Sequence, residues 1–184
     1  GAGQNILTCK KSYAETESST GLSRSDVEIR LVSIRERLLS ARGHRSRPAL
    51  DDKILTDWNG LFIAALALAS RAFGNEHYLS AARRAMQFIA NRMRAPDGSL
   101  LHRYRDGEPA IPAFGDDYAF TIKALIELYE STFDAGYLST AIELNSWFVA
   151  HFHDNTGGGF FTTSDSAEIL LVRKKEIYDG AIPS

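Results

Sequence analysis

Along this chain the apolar positions alternate between two helical patterns, and the alternation recurs. From about Asp57 to Phe73 the chain is apolar nearly all round: Leu61, Phe62, Ile63, Leu66, Leu68 and Phe73 cover every face, with alanines between them. A helix of that composition is expected to be buried on all sides. The next stretch, about Glu76 to Met93, carries one stripe of Tyr78, Leu79, Ala82, Met86, Ile89 and Met93, opposite Arg83, Arg84, Gln87 and Asn91. That pattern predicts a helix packed outside the first. Pro96-Asp97-Gly98 reads as a turn, Leu100 to Tyr104 as a short strand, and Arg105-Asp106-Gly107 as a second turn. The order then repeats. A largely apolar helix is expected from about Asp116 to Thr132 and an amphipathic one from about Ala135 to Phe152. The glycines at 157–159 lead into Phe160 to Thr163, with Ile169 to Arg173 as a β-hairpin partner.

Before these come a loop-rich lead-in, residues 1–22, and an amphipathic helix over about 23–41 with Val27, Leu31, Ile34 and Leu38 at helical spacing. Its arginines, Arg30, Arg35, Arg37 and Arg42, read as a solvated face.

Laid over each other, the copies register. Leu68 and Phe73 fall on Leu128 and Phe133, Gly98 to Leu101 on Gly158 to Phe161, and Asp57 on Asp117, each at an offset of 60. Tyr78-Leu79 fall on Tyr137-Leu138 at 59, and Asp179 begins a third copy at 62. A unit of one buried and one half-buried helix cannot cover its own apolar surface, so it stacks with copies of itself. Alternating inner and outer helices predict an all-α fold, a partial α/α toroid with short β-hairpins between helical hairpins, spanning residues 23–184. A ring of six such hairpins needs roughly 350 residues. The chain has no initiator Met and stops as the third copy starts, so it reads as a piece of a longer protein.

Composition narrows the function classes. The net charge of −2 gives no broad attraction to nucleic acid or to an anionic membrane. The longest run of apolar side chains, Leu61 to Ala69, is nine residues, whereas a membrane span takes about 20. Cys9 is the single cysteine, which excludes an internal disulfide and fits a reducing, cytoplasmic setting. The glycines at 157–159 lack a P-loop lysine, and His151 and His153 lack supporting ligands. No cofactor and no metal site is therefore expected, and the oligomeric state stays open.

In a toroid the inner helices run parallel and their N-termini gather at one rim, where the helix dipoles favour carboxylates. Asp57, Asp116, Asp117 and Asp179 should line that rim. Each also suits an N-cap, whose side chain satisfies orphan amides. Paired carboxylates perturb each other and divide into acid and base, the chemistry that sugar cleavage or epimerisation needs. Trp58, Tyr104 and Tyr118 are candidate stacking faces for a sugar, and Asn59 a candidate amide contact. His102 is the candidate imidazole base, and Arg173 a candidate contact for an acidic group.

From Arg47-Pro48 through Leu50-Asp51-Asp52-Lys53-Ile54-Leu55-Thr56-Asp57-Trp58-Asn59-Gly60-Leu61 the chain resembles the YyaL-type family related to spermatogenesis-associated protein 20. Asp117-Tyr118-Ala119, Gly158-Gly159-Phe160-Phe161 and Asp179-Gly180-Ala181-Ile182-Pro183-Ser184 support the resemblance in the right order, and it covers about residues 3–184. It implies an N-terminal thioredoxin-like domain elsewhere in the full-length chain, followed by a toroid similar to N-acylglucosamine 2-epimerases and six-hairpin glycosidases. It implies no assigned reaction. The family pattern carries Ser where this chain has Asp57, which moves weight to Asp51, Asp52 and Lys53. The expectation is a carbohydrate-active domain, epimerase or glycoside hydrolase-like, with Asp52, Asp117, Asp179 and His102 catalytic. Asp51, Lys53, Trp58, Asn59, Tyr104, Asp116, Tyr118 and Arg173 would then bind a sugar ligand. The alternative is a non-catalytic module that binds a glycan or a substrate for the thioredoxin-like partner domain.

Overall fold

The computed structural model describes residue 8, residues 10–167, residues 171–175 and residue 180. The chain divides into two compact units, Gly1–Asp51 and Asp52–Ser184.

The first unit holds α1 (Tyr13–Thr20) and α2 (Arg24–Gly43). Helix α1 lies inside the stretch expected to be loop, and its cause is local. The Ser12 amide donates to Glu15 Oε2 at 2.7 Å and the Glu15 amide donates to Ser12 Oγ at 3.3 Å, a reciprocal capping box. Gly21, at φ 69°, closes the helix in the left-handed region. Helix α2 starts behind its Ser23 cap and buries only Val27.

The second unit runs β1 (Ile54–Leu55), α3 (Thr56–Phe73), α4 (Glu76–Arg92), β2 (Leu101–Arg105), β3 (Glu108–Pro112), α5 (Gly115–Thr132) and α6 (Ala135–Phe152). These are the two predicted helical hairpins. Helices α3 and α5 lie parallel and in register. Their contacts keep a nearly constant spacing along the chain, from the Asp57 amide on Asp117 Oδ1 to Ser131 Oγ on the Ala67 carbonyl. Gly60 permits this approach, because a Cβ there would stand 2.8 Å from the Phe120 carbonyl carbon. At the far end Arg71 binds both Glu127 and Glu130, joining the helices again. Helices α4 and α6 pack outside their partners, burying Leu79, Met86, Ile89 and Leu144 against Ile63, Leu125 and Leu128.

One expectation is corrected. Helix α3 is not covered all round: Trp58, Phe62 and Phe73 are 59%, 63% and 75% exposed. Among the described residues α3 packs mainly against α4, α5 and the strand ends, and these cover part of its circumference.

Strands β1, β2 and β3 form one antiparallel sheet in that order. Ile54 pairs with Tyr104 and Leu55 with Arg103; Leu101 pairs with Pro112 and Arg103 with Ala110. The Asp106-Gly107 turn takes φ values of 53° and 87°, the positive pair that a two-residue hairpin of this twist requires. The second expected hairpin is reduced, among the described residues, to a His153–Phe160 bridge and a Thr162 amide donating to the Lys174 carbonyl at 2.8 Å. Ile169 and Leu170 lie outside the described residues. No helix among the described residues is long and apolar enough to cross a membrane.

Candidate functional site

The rim where α3 and α5 begin is built on strand ends. The residues at the two N-cap positions are Leu55 and Phe114, and neither has a capping oxygen. The aspartates therefore act from inside the first turn, not as N-caps. Asp117, in the third position of α5, reaches back so that its Oδ2 accepts the Phe114 amide at 2.7 Å. Its Oδ1 accepts the Asp57 amide of the neighbouring helix at 2.8 Å. One carboxylate, 0% exposed, thus ties both helix starts together.

The same carboxylate holds His102. Nδ1 of His102 lies 3.0 Å from Asp117 Oδ2 and 3.1 Å from Oδ1. A carboxylate only accepts, so Nδ1 carries the proton and Nε2 is the outward atom. Among the described residues Nε2 makes no hydrogen bond. Phe114 packs edge-on against the imidazole at 5.0 Å and fixes its plane. The Asp117 bond raises the His102 pKa, opposed in part by burial of the imidazole. Asp57 completes the group, and ligand atoms of Asp57, His102 and Asp117 all lie within 4.8 Å of one another. Burial pushes the Asp57 carboxyl up, opposed by the Trp58 amide it accepts at 2.7 Å and reinforced by the charge of Asp117. Two carboxylates and an imidazole are a donor set for a divalent first-row ion. Here, however, Asp117 already serves two backbone amides and the imidazole, so the arrangement is a hydrogen-bonded cluster.

The other candidate residues are placed differently. Asp52 is exposed and paired with Arg105 at 3.0 Å, outside the cluster, while Asp57, from which weight was moved, is inside it. Asp51, Lys53 and Asp116 are exposed, and the charge of Asp116 raises the Asp57 carboxyl. Tyr118 belongs to the core: it stacks on Trp147 at 4.9 Å, its Oη accepts the Leu100 amide at 2.8 Å, and burial pushes its phenol up to about 12. Trp58, its repeat equivalent, is exposed beside Asp57. Asn59 uses its amide nitrogen on the Leu55 carbonyl at 2.7 Å, tying helix to strand. Tyr104 packs edge-on against Phe88 at 5.0 Å. Arg173 donates to the Thr163 carbonyl at 3.0 Å and the His151 carbonyl at 2.8 Å, and lies over Phe161, a clamp on the chain after α6. Asp179 lies outside the described residues.

Two contributors escape a reading of side-chain types. Phe114 contributes its amide and its ring. Thr56 contributes a hydroxyl, and its signal was the hydroxyl residue standing where β1 gives way to α3.

No family model matches the chain. It is 32% identical over 198 residues to spermatogenesis-associated protein 20 of Homo sapiens, covering 99% of this chain and 24% of that protein. It is 32% identical over 192 residues to the same protein of Rattus norvegicus, with the same coverage. The chain therefore spans about a quarter of the length of these curated relatives, and the resemblance stated above holds along almost all of it. Among solved structures it is similar to a GH76 alpha-mannanase from Bacteroides thetaiotaomicron, with a TM-score of 0.57, 18% identity, and 64% of this chain and 33% of that one covered. It is also similar to cellobiose 2-epimerase from Spirochaeta thermophila, with a TM-score of 0.55, 19% identity, and 60% and 28% covered. At these identities the likeness shows the fold alone, and that fold is the α/α toroid type of sugar epimerases and glycoside hydrolases.

Proposed function

We propose that the rim where α3 and α5 begin is a carbohydrate-type acid–base site in which His102 moves a proton at a sugar carbon, as epimerisation or isomerisation requires. The observation that carries this reading is the His102–Asp117 pair, with Nδ1 held 3.0 Å from a fully buried carboxylate. The pair orients the ring, stabilises its protonated form and leaves Nε2 to face a substrate. The Asp117 bond favours the imidazolium, the acid form needed to return a proton to the sugar carbon. Asp57, whose carboxyl is raised by burial, stands beside it as a second titratable group. Trp58, exposed next to Asp57, suits the apolar face of a pyranose.

Epimerase-type chemistry fits better than hydrolysis. Two-carboxylate glycosidases hold their carboxyls about 5–5.5 Å or about 6.5–9.5 Å apart, with both facing the bond. Asp57 and Asp117 offer oxygens within 4.8 Å, and the oxygens of Asp117 are committed to amides and imidazole. The non-catalytic reading, a sugar- or substrate-binding module serving a thioredoxin-like domain, is favoured by one observation: joining two helix starts is reason enough for a buried Asp117.

Deuterium uptake distinguishes them. The chain, and a longer curated relative in parallel, would be incubated in D2O with aldoses, N-acyl sugars and disaccharides, and label beside the carbonyl followed by NMR. Uptake that His102→Gln abolishes is the expected result. Saturable sugar binding with no uptake by either protein would establish the binding module instead.

A further inference from the structure

His102 sits at an unusual place in the sheet. Continuing the β1–β2 register from Ile54–Tyr104 and Leu55–Arg103 would bring Thr56 opposite His102. At that residue, however, the chain turns into α3 and the ladder ends. The Thr56 side chain takes over: its Oγ1 donates to the Leu101 carbonyl at 2.6 Å, and the residue is 0% exposed. That carbonyl belongs to the peptide group immediately before His102. The rest of this backbone is tied elsewhere. The Leu100 amide donates to Tyr118 Oη at 2.8 Å, the Leu101 amide to the Met93 carbonyl at 2.9 Å, and the Ala113 amide to the Leu100 carbonyl at 3.0 Å. On the other flank Ile111, opposite His102 in the β3 register, is turned to φ 68°, a conformation that β-branched residues avoid.

We infer that Thr56 is a positioning residue for His102: its buried hydroxyl fixes the Leu101–His102 peptide plane and so aims the imidazole at Asp117. Thr56 and Asp57 then act as a pair, one fixing the main chain of His102 and the other, through its amide, fixing the carboxylate that receives the ring. Thr56 touches no reacting atom. The charged groups facing His102 are Asp117 from α5, Asp57 from α3 and Arg103 from its own strand.

The inference rests on the acid–base reading above, and one experiment separates their failures. The whole chain, with labelled histidine, is titrated by NMR, and His102→Gln identifies the His102 signal among five. In the unsubstituted chain His102 is expected to titrate above the usual imidazole value. Thr56→Val, close in shape but without the hydroxyl, is expected to lower that midpoint toward the usual imidazole value and to lose the Nδ1–H tautomer preference. Thr56→Ser, which keeps the hydroxyl, is expected to retain both. A raised midpoint that survives Thr56→Val overturns the role of Thr56 alone. An ordinary midpoint in the unsubstituted chain overturns the acid–base reading. Should Thr56→Val not fold, Thr56→Ser decides: a midpoint as in the unsubstituted chain supports the hydroxyl, and a lowered one assigns the effect to the lost methyl and overturns the inference.

Discussion

Asp57 and Asp117 stand one repeat apart, in the first turns of neighbouring parallel helices, and they do different work. Asp117 is fully buried and accepts from everything around it: the Phe114 amide, the Asp57 amide and the His102 imidazole. Asp57 enters the same network through its backbone, while among the described residues its carboxyl accepts only the next amide along, and burial raises its pKa. The difference arises because Asp117 has a helix beside it whose first amides need an acceptor, and β2 delivers a histidine to it as well. Repeat position supplies a carboxylate; the neighbours decide whether it becomes an anchor or a tuned acid.

The largest expected effect breaks the anchor. Asp117→Ala leaves a buried amide, a part-buried amide and an imidazole without their acceptor, at about 1–3 kcal/mol for each unsatisfied group. A loss of about 4 kcal/mol in denaturant unfolding is the expected result, with Asp117→Asn recovering part of it. A loss below about 1 kcal/mol would mean that the carboxylate does not hold the helix starts together. Next comes the distance between them. Gly60→Ala forces a methyl to within 2.8 Å of the Phe120 backbone, so α3 and α5 must part. Such overpacking costs about 1–3 kcal/mol, and here the rigid backbone contact places it near the upper end. The same variant should shift the His102 titration, because parting the helices draws Asp57 from Asp117 without altering either side chain.

Much of this comparison was legible in the residues, for reasons that also explain what was not. The inner and outer helices and their offset of 60 showed because burial writes a helical period into the chain. Strands β1 and β3 did not show: one is two residues long, and the other carries Pro109 and Pro112, which argue against a strand unless it lies at an edge. Helix α1 was marked by Ser12 and Glu15 at capping-box spacing inside an otherwise polar stretch. Tyr118 was drawn toward the site by its equivalence to Trp58, yet the two differ through their outer helices. Tyr118 finds Trp147 to stack on, whereas the matching residue, Phe88, is turned against Tyr104. The pairing of His102 with Asp117 joins a strand to a helix start, and no periodicity encodes it.

A smaller effect follows from pH. His102 has a folded pKa raised above its unfolded value of about 6.5. Its contribution to stability is therefore complete below about pH 6.5 and is lost as pH rises through the folded value. Asp57 is also raised, so its contribution is complete below about pH 4 and is lost as pH rises through its own folded value. Stability measured against pH should thus fall from about pH 4 upward through Asp57 and from about pH 6.5 upward through His102. His102→Gln should remove the upper fall and leave the lower. A single slope that His102→Gln leaves unchanged would show that the imidazole is not coupled to Asp117.

The smallest expected effect is the sharpest test of the contrast. Asp57→Ser installs the residue that the resembled family carries at this position. The Asp117 carboxylate accepts the backbone amide of residue 57, not its side chain, so that bond survives the change. What disappears is a carboxyl that burial already disfavours in its charged form, together with its bond from the Trp58 amide, which a serine hydroxyl is able to accept. Stability near pH 7 should change by no more than about 0.5 kcal/mol, the range of substitutions that remove no essential contact. The lower pH window should vanish, and the His102 midpoint should fall slightly as one nearby negative charge is removed. A loss above about 2 kcal/mol would place Asp57 beside Asp117 as a second anchor and would make the two repeat positions equivalent after all.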